Sequence, residues 1–244
     1  MTRQLRRPFP LAARARESWP GSEVVVLNDV TAAGYAAVAD GLRDFCIVTV
    51  SSGVGNKIFV NGEPALGAGG RGGEIGHWRV SREPDAPICD CGEQGHLGAM
   101  ASGRGVLHTV HRRAEEDRRG FTSSLLGVEA AGEASEVDNP AIARSFHRKN
   151  PWTTAIIREA AGCLAGALAL VHAAIGVECF LIFGGFAIAL GDEYLRLLAD
   201  EAGARCWKLG QDWTKMIRPG RFADDSGLIG AGYFACNRSQ GLPR

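Results

Sequence analysis

His77, Cys89, Cys91 and His96 follow one another with the spacing H-x11-C-x-C-x4-H. Two thiolates and two imidazoles this close in sequence can close a tetrahedral Zn²⁺ site, and the thiolate charges neutralise the metal. With every position taken by protein, no water ligand remains, so the cluster reads as structural zinc and a zinc hydrolase is disfavoured. The competing reading leaves Cys89 and Cys91 as ordinary loop thiols and His77 as a satisfied polar residue. A Cys89–Cys91 disulfide is disfavoured because one intervening residue strains the bridge. Asp29, in the dipeptide Asn28-Asp29, can accept a proton from a hydroxyl as that hydroxyl becomes a nucleophile. An aspartate before a helix is more often a cap, and from spacing alone both roles stay open. The stretch Ser51-Ser52-Gly53-Val54-Gly55-Asn56 can cradle phosphate on backbone N–H groups, or be no more than a hairpin turn.

These groups need elements to hold them. Residues 23–27 (EVVVL) read as a short strand, followed by an alanine-rich helix through about Ala39, which sets Asn28-Asp29 at a helix N-terminus and the open end of a sheet. Residues 45–50 and 58–60 read as strands around the glycine turn, and Asn61-Gly62 turns the chain again. Residues 67–77 (GAGGRGGEIGH) hold too much glycine for a helix or strand and read as a loop whose backbone approaches a ligand. Residues 112–151 are polar and charged; they read as surface helices and loops in which Phe121, Leu125, Leu126 and Phe146 still need burial.

Further on, Ile157, Ala161, Leu164, Leu168, Val171 and Ile175 step by four and three, which is one helix face, and Gly176 ends it. Residues 179–183 (CFLIF) read as a buried strand running into Gly184-Gly185. A strand at this distance from a helix is half of a crossover unit, so the apolar stretch 165–190 reads as core rather than as a membrane span. Meander plus crossover predicts an α/β fold with a mixed sheet.

The 244 residues carry 27 basic and 27 acidic side chains, a net charge of zero, which excludes a strong electrostatic pull toward nucleic acid or a membrane surface. At roughly 150 residues per domain the length fits one large domain or two unequal lobes. With 45% hydrophobic and 22% charged residues, whole-chain disorder is excluded. Glycine is the outlier, 33 residues against a usual share of about 7%. Seven cysteines, odd in number and scattered, point to a reducing compartment with thiols free or on metal. Five arginines in the first sixteen residues, with no apolar run, do not make a secretory signal.

In this order, and from about Glu23 to Ala235, these pieces resemble the ROK family of sugar kinases and repressors. The family's Asn-Asp after a strand is matched by Asn28-Asp29, and its Gly-Thr-Gly-type phosphate turn, loosely, by residues 51–55. Its Gly-Glu-Ile-Gly-His segment is matched by residues 73–77, and its Cys-x-Cys-Gly-x-x-Gly zinc loop and following Ala-Ser-Gly by residues 89–95 and 101–103. Residues 181–185 correspond to the strand ending in Gly-Gly near the nucleotide, and residues 227–235 to a Gly-Ala-rich C-terminal helix.

The resemblance implies an actin-like ATPase (ribonuclease H-like) fold and an ATP-dependent kinase acting on a hydroxyl of a sugar or sugar-like polyol. It further implies a cytoplasmic homodimer with Mg²⁺-ATP and a structural Zn²⁺. Asp29 would be the catalytic base. Asn28, Glu74 and His77 would bind the acceptor, with His77 also on the metal beside Cys89, Cys91 and His96. Ser52, Gly53 and Gly55 would line the phosphates, and Gly184 and Gly185 the adenosine.

Three departures from the family pattern shape the expectation. His96 stands where the family has a third cysteine, an acceptable exchange at zinc. Gly98 stands where the family usually has a glutamate that grips sugar hydroxyls. A missing acceptor costs a buried hydroxyl about 1–3 kcal/mol, which disfavours glucose and favours a modified sugar or a C7 cyclitol. No Asp-x-Gly-Gly-Thr phosphate hairpin and no helix-turn-helix lie between Met1 and Asn28. The expected organisation is a partial N-terminal lobe over 1–43 and a C-terminal lobe over 44–244, the last helix returning toward the first lobe. The alternative function is a non-catalytic carbohydrate-binding or regulatory remnant.

Overall fold

The computed structural model describes residues 9–221 and 225–239. Its elements run α1 (Leu11–Ser18), α2 (Asp29–Ala39), β1 (Phe45–Val50), β2 (Val54–Val60), β3 (Glu63–Pro64), α3 (Leu97–Ala101), α4 (Gly103–Glu116), α5 (Arg118–Ser123), α6 (Leu125–Glu129), α7 (Asn139–His147), α8 (Pro151–Ile175), β4 (Phe180–Phe183), α9 (Gly185–Arg205), α10 (Trp213–Met216), β5 (Ile217–Pro219) and α11 (Ser226–Ser239). The sheet order is β3-β2-β1-β4-β5. Pairing is antiparallel in β3-β2-β1 and parallel in β1-β4-β5, so the sheet is mixed, as the meander and crossover lead one to expect.

The alternation of side chains along each strand separates two apolar layers. Cys46, Val48, Val50, Ile58, Phe180 and Ile182 face the larger core with α3, α4, α8 and α9. Phe45, Ile47, Phe59 and Leu181 face α2 and α11. Glycine lets α2 lie close on the sheet: a Cβ at Gly34 would sit 2.1 Å from the Phe59 ring. Likewise α11 packs along α2, where a Cβ at Gly230 would fall 1.7 Å from the Ala32 carbonyl oxygen.

Helix α8 forms for reasons visible in its ends and its face. Asn150 caps it by accepting from the Thr153 N–H, Pro151 supplies the preset first φ, and Gly176 closes it at φ 79°. Ile157, Ala161, Leu164, Leu168 and Val171 are buried, whereas Ile175, next to the terminating glycine, is 52% exposed. By length and composition α8 could cross a membrane, yet its apolar face is packed against α3, α4 and α9. In the polar stretch 112–151, Phe121, Leu126 and Phe146 are buried and Leu125 half-buried.

Two expectations need correction. Residues 23–27 form no strand: Val25 and Val26 are 42% and 50% exposed. β-branched residues favour a pleated surface only where a neighbouring strand takes up the backbone N–H and C=O groups, and none does so among the described residues. Strand β2 begins at Val54 rather than Ile58, in register with Val50, so the turn shrinks to residues 51–53. The second turn is as expected, with Asn61 and Gly62 at φ 54° and 82°.

Candidate active site

The end of the sheet near the β1–β2 turn opens into a cleft of about 500 Å³. One wall is the start of α2 with Asn28, Asp29, Val30 and Ala33; the floor is Thr49 and residues 51–57; the far wall is Phe183, Gly184 and Gly185. Glu74 lies at the rim, and Gly227 of α11 completes the lining. Asp29, Asn28, Glu74, Ser52, Gly53, Gly55, Gly184 and Gly185 are thus brought together although they come from four separate stretches of chain. His77 is not among the lining residues.

Local chemistry sets each group. The Asn28 side-chain oxygen accepts from the Val30 and Thr31 N–H groups at 3.1 and 3.2 Å, which is the cap that starts α2. Asp29 opens the first turn, where the helix dipole favours a carboxylate, and its Oδ1 accepts from the Val30 N–H at 2.9 Å. Across the cleft, Gly184 at φ 97° passes so close to β1 that a Cβ would lie 2.6 Å from the Thr49 hydroxyl and 2.7 Å from the Val50 carbonyl. Helix α9 then starts at Gly185 and presents free N–H groups to the cleft, an arrangement that favours an anion. The β1–β2 turn is tied to α4 by the Gly103 N–H donating to the Ser51 carbonyl at 2.8 Å. Gly53 has nothing within 4 Å of where a Cβ would be, so the turn presents bare backbone.

Sequence reasoning missed Lys57. It lies on β2 in phase with Gly55 and Phe59, on the α2 side of the sheet, and its ammonium donates to the Gly72 carbonyl, the Gly73 carbonyl and Glu74 Oε1 at 2.9, 3.1 and 2.7 Å. The available signal was a charged residue at an inward position of a strand. Its neighbour Asn56 points to the other layer, accepts from the Ile75 N–H at 3.0 Å and donates weakly to the Cys46 sulfur at 3.7 Å.

Beyond the rim, His77, Cys89, Cys91 and His96 bring one ligand atom each to within 4.8 Å of one another. The Cys89 sulfur is 3.6 Å from His77 Nδ1, and the Cys91 sulfur 3.3 Å from His96 Nδ1. Bond lengths of about 2.3 Å to sulfur and 2.0–2.1 Å to nitrogen give a tetrahedral S···N edge of about 3.5 Å, so this donor set fits Zn²⁺. The knuckle is built by glycine: Gly92 turns at φ 93° with its N–H on the Cys89 carbonyl. Gly95 passes so near Ser81 that a Cβ would lie 2.1 Å from its carbonyl oxygen. Burial pushes the Cys89 thiol above its ordinary value, and a bound cation reverses that because thiolate is the ligating form.

The glycine-rich stretch 67–77 corrects one further expectation. Rather than approaching a ligand, its inner glycines approach the chain itself: Cβ atoms at Gly72, Gly73 and Gly76 would fall 2.1 Å from the Ala65 carbonyl, 2.8 Å from the Asn56 carbonyl and 2.0 Å from the Val54 carbonyl.

Residues 6–238 match the ROK family profile. The chain belongs to the ROK family. It is 43% identical over 239 residues to the C(7)-cyclitol 7-kinase of Streptomyces hygroscopicus subsp. limoneus, covering 97% of this chain and 68% of that protein. Identity is also 43%, over 226 residues, to the C(7)-cyclitol 7-kinase of Streptomyces hygroscopicus subsp. jinggangensis, covering 92% of this chain and 64% of that one. The chain therefore spans about two thirds of the length of these relatives. A ROK family glucokinase from Streptomyces griseus, solved in complex with glucose and AMPPNP, matches with a TM-score of 0.72 at 25% identity, over 91% of this chain and 70% of that one. The fold is the α/β, mixed-sheet, actin-like ATPase fold of ROK proteins, as the resemblance implied. These ROK relatives are carbohydrate and cyclitol kinases, the enzyme class the resemblance implied.

Proposed function

We propose that this ROK chain serves an ATP-dependent kinase that phosphorylates a hydroxyl of a sugar-like polyol, with a C7 cyclitol as the first acceptor to test. The observation that carries the reading is the placement of Asp29: its carboxylate stands on the wall of a cleft whose opposite side is glycine backbone and a helix N-terminus. That is the pairing phosphoryl transfer needs, a base at the acceptor oxygen and N–H groups facing the phosphates. Asp29 takes the proton of the attacking hydroxyl, Asn28 and Glu74 hold neighbouring hydroxyls, and residues 51–55 with Gly184 and Gly185 hold the nucleotide. Mg²⁺ brought with ATP neutralises phosphate charge.

Zinc on His77, Cys89, Cys91 and His96 holds the knuckle in shape. His77 acts on the acceptor side through the 3-10 turn it shares with Ile75, whose N–H is bound by Asn56. Gly98, buried in α3, offers no side-chain acceptor, and this supports a modified sugar or C7 cyclitol over glucose. The division at about residue 43 belongs to the same reading, although the apolar layer of α2 and α11 also takes in Phe45, Ile47, Phe59 and Leu181 of the sheet. Seven cysteines without a disulfide among the described residues support a reducing, cytoplasmic setting, and sedimentation is expected to show a homodimer.

The test is Asp29→Asn. Loss of ATP-dependent phosphorylation by a factor of about 10²–10⁴, with polyol binding retained, is the expected result; undiminished turnover overturns the assignment.

A further inference from the structure

Lys57 is buried, with its side chain 5% exposed, while the carboxylate it pairs with, on Glu74, is 53% exposed at the cleft rim. A buried ammonium is tolerated only when its donors are met, and here its three are met by two loop carbonyls and one carboxylate oxygen. The glycines opposite make this possible. A Cβ at Gly73 would lie 3.1 Å from Lys57 Cδ, so a larger residue there would push the loop off the ammonium. A half-exposed glutamate on its own samples many rotamers in water; this one is anchored to a fixed charge.

Resting on the kinase reading above, we propose that Lys57 is the positioning residue of the acceptor site. It holds the backbone of Gly72 and Gly73 and fixes Glu74 through Oε1, so that the carboxylate meets a substrate hydroxyl in one orientation. Lys57 touches no reacting atom; it acts through Glu74.

The experiment is calorimetric titration of the 244-residue protein and its Lys57→Met, Lys57→Arg and Glu74→Gln variants with glucose, N-acetylmannosamine and a C7 cyclitol, and separately with AMPPNP. The expected result for Lys57→Met is a tenfold or greater loss of polyol affinity, with AMPPNP affinity within twofold of wild type. Lys57→Arg recovers part of that loss, and adding Glu74→Gln to Lys57→Met costs nothing more, because the two act as a unit. Equal loss of polyol and nucleotide overturns the inference, since it marks Lys57 as a fold element only. If Lys57→Met does not fold, Glu74→Gln decides: polyol binding at wild-type strength in that variant overturns the inference. Wild-type protein that binds none of the three polyols overturns the kinase reading and this inference together. Wild-type binding that survives Lys57→Met within twofold overturns this inference alone.

Discussion

The two glycine-rich stretches of this chain look alike as letters and differ as structure. Over residues 51–55, the turn and the start of β2, a Cβ at Gly53 would meet nothing within 4 Å and one at Gly55 only the Thr49 methyl and Val30, at 3.2 and 3.5 Å. In residues 67–77 the outer glycines, Gly67, Gly69 and Gly70, are also open, but Gly72, Gly73 and Gly76 are wedged against backbone carbonyls of β2 and the residue after β3. Glycine is there for two reasons. One stretch leaves the cleft open beside bare backbone; the other lets a loop lie on a strand closely enough for Lys57 and Asn56 to hold it. An excess of glycine says that backbone approaches something, not what it approaches.

The sharpest way to break this contrast is Gly76→Ala. With a Cβ 2.0 Å from the Val54 carbonyl oxygen, the substitution forces the 3-10 turn off β2, and the unfolding free energy read from denaturant titration is expected to fall by about 3 kcal/mol, lowering the midpoint. A midpoint unchanged within error would show that the stretch is loosely seated.

Metal removal probes the same seat from its other end. Purified protein is expected to carry about one zinc per chain, and stripping it with a strong chelator should lower Tm by about 5–10 °C, the shift of about 2–3 kcal/mol in a chain of this size. A Tm indifferent to chelation would detach the knuckle from the fold.

A smaller effect comes from beneath. Burial pushes the Cys46 thiol up to about 12 from 9.0, against a weak lowering by the Asn56 side chain that also holds Ile75. The folded state therefore keeps a proton that the unfolded chain releases. This stability is fully present below about pH 9 and drains as pH rises from 9 toward 12, by up to about 1.4 kcal/mol per pH unit. Denaturant midpoints at pH 8, 9 and 10 read it, and a flat series would count against it. The least effect on stability belongs to Gly53→Ala, within about 0.5 kcal/mol because nothing lies near the new methyl. AMPPNP affinity should nevertheless fall, and an unaltered affinity would remove this turn from the phosphate site.

What was legible in the sequence is what local chemistry decides. Strand β1 was read to the residue because FCIVTV is β-branched or aromatic at every position but Cys46, and α8 because Ile157, Ala161, Leu164, Leu168 and Val171 step at helix spacing and Gly176 closes it. The His77, Cys89, Cys91 and His96 cluster was readable because three of its four side chains sit on one short knuckle and the fourth lies twelve residues before it. Of the cleft, the parts carried by short motifs were readable, namely Asn28-Asp29, the glycine turn and Gly184-Gly185. The rest depended on tertiary partners. Val54 to Lys57 join β2 only because β1 pairs with them, since glycine, asparagine and lysine have little preference for a strand. Residues 23–27 have that preference and no partner. Lys57 and Glu74 are seventeen residues apart, a separation no helix or strand period singles out.

The clasp between α2 and α11 has a consequence for biogenesis. The helix that carries Asp29 spans Asp29–Ala39, and the helix that covers it, with the Phe234 ring tilted against Tyr35 at 4.9 Å, begins only at Ser226. During synthesis α2 emerges early with an apolar flank that nothing yet covers, while β1, β2 and most of the larger core follow and can settle first. The proposed base is thus seated only after α11 has left the ribosome, and a nascent chain acquires its scaffold before it acquires its chemistry.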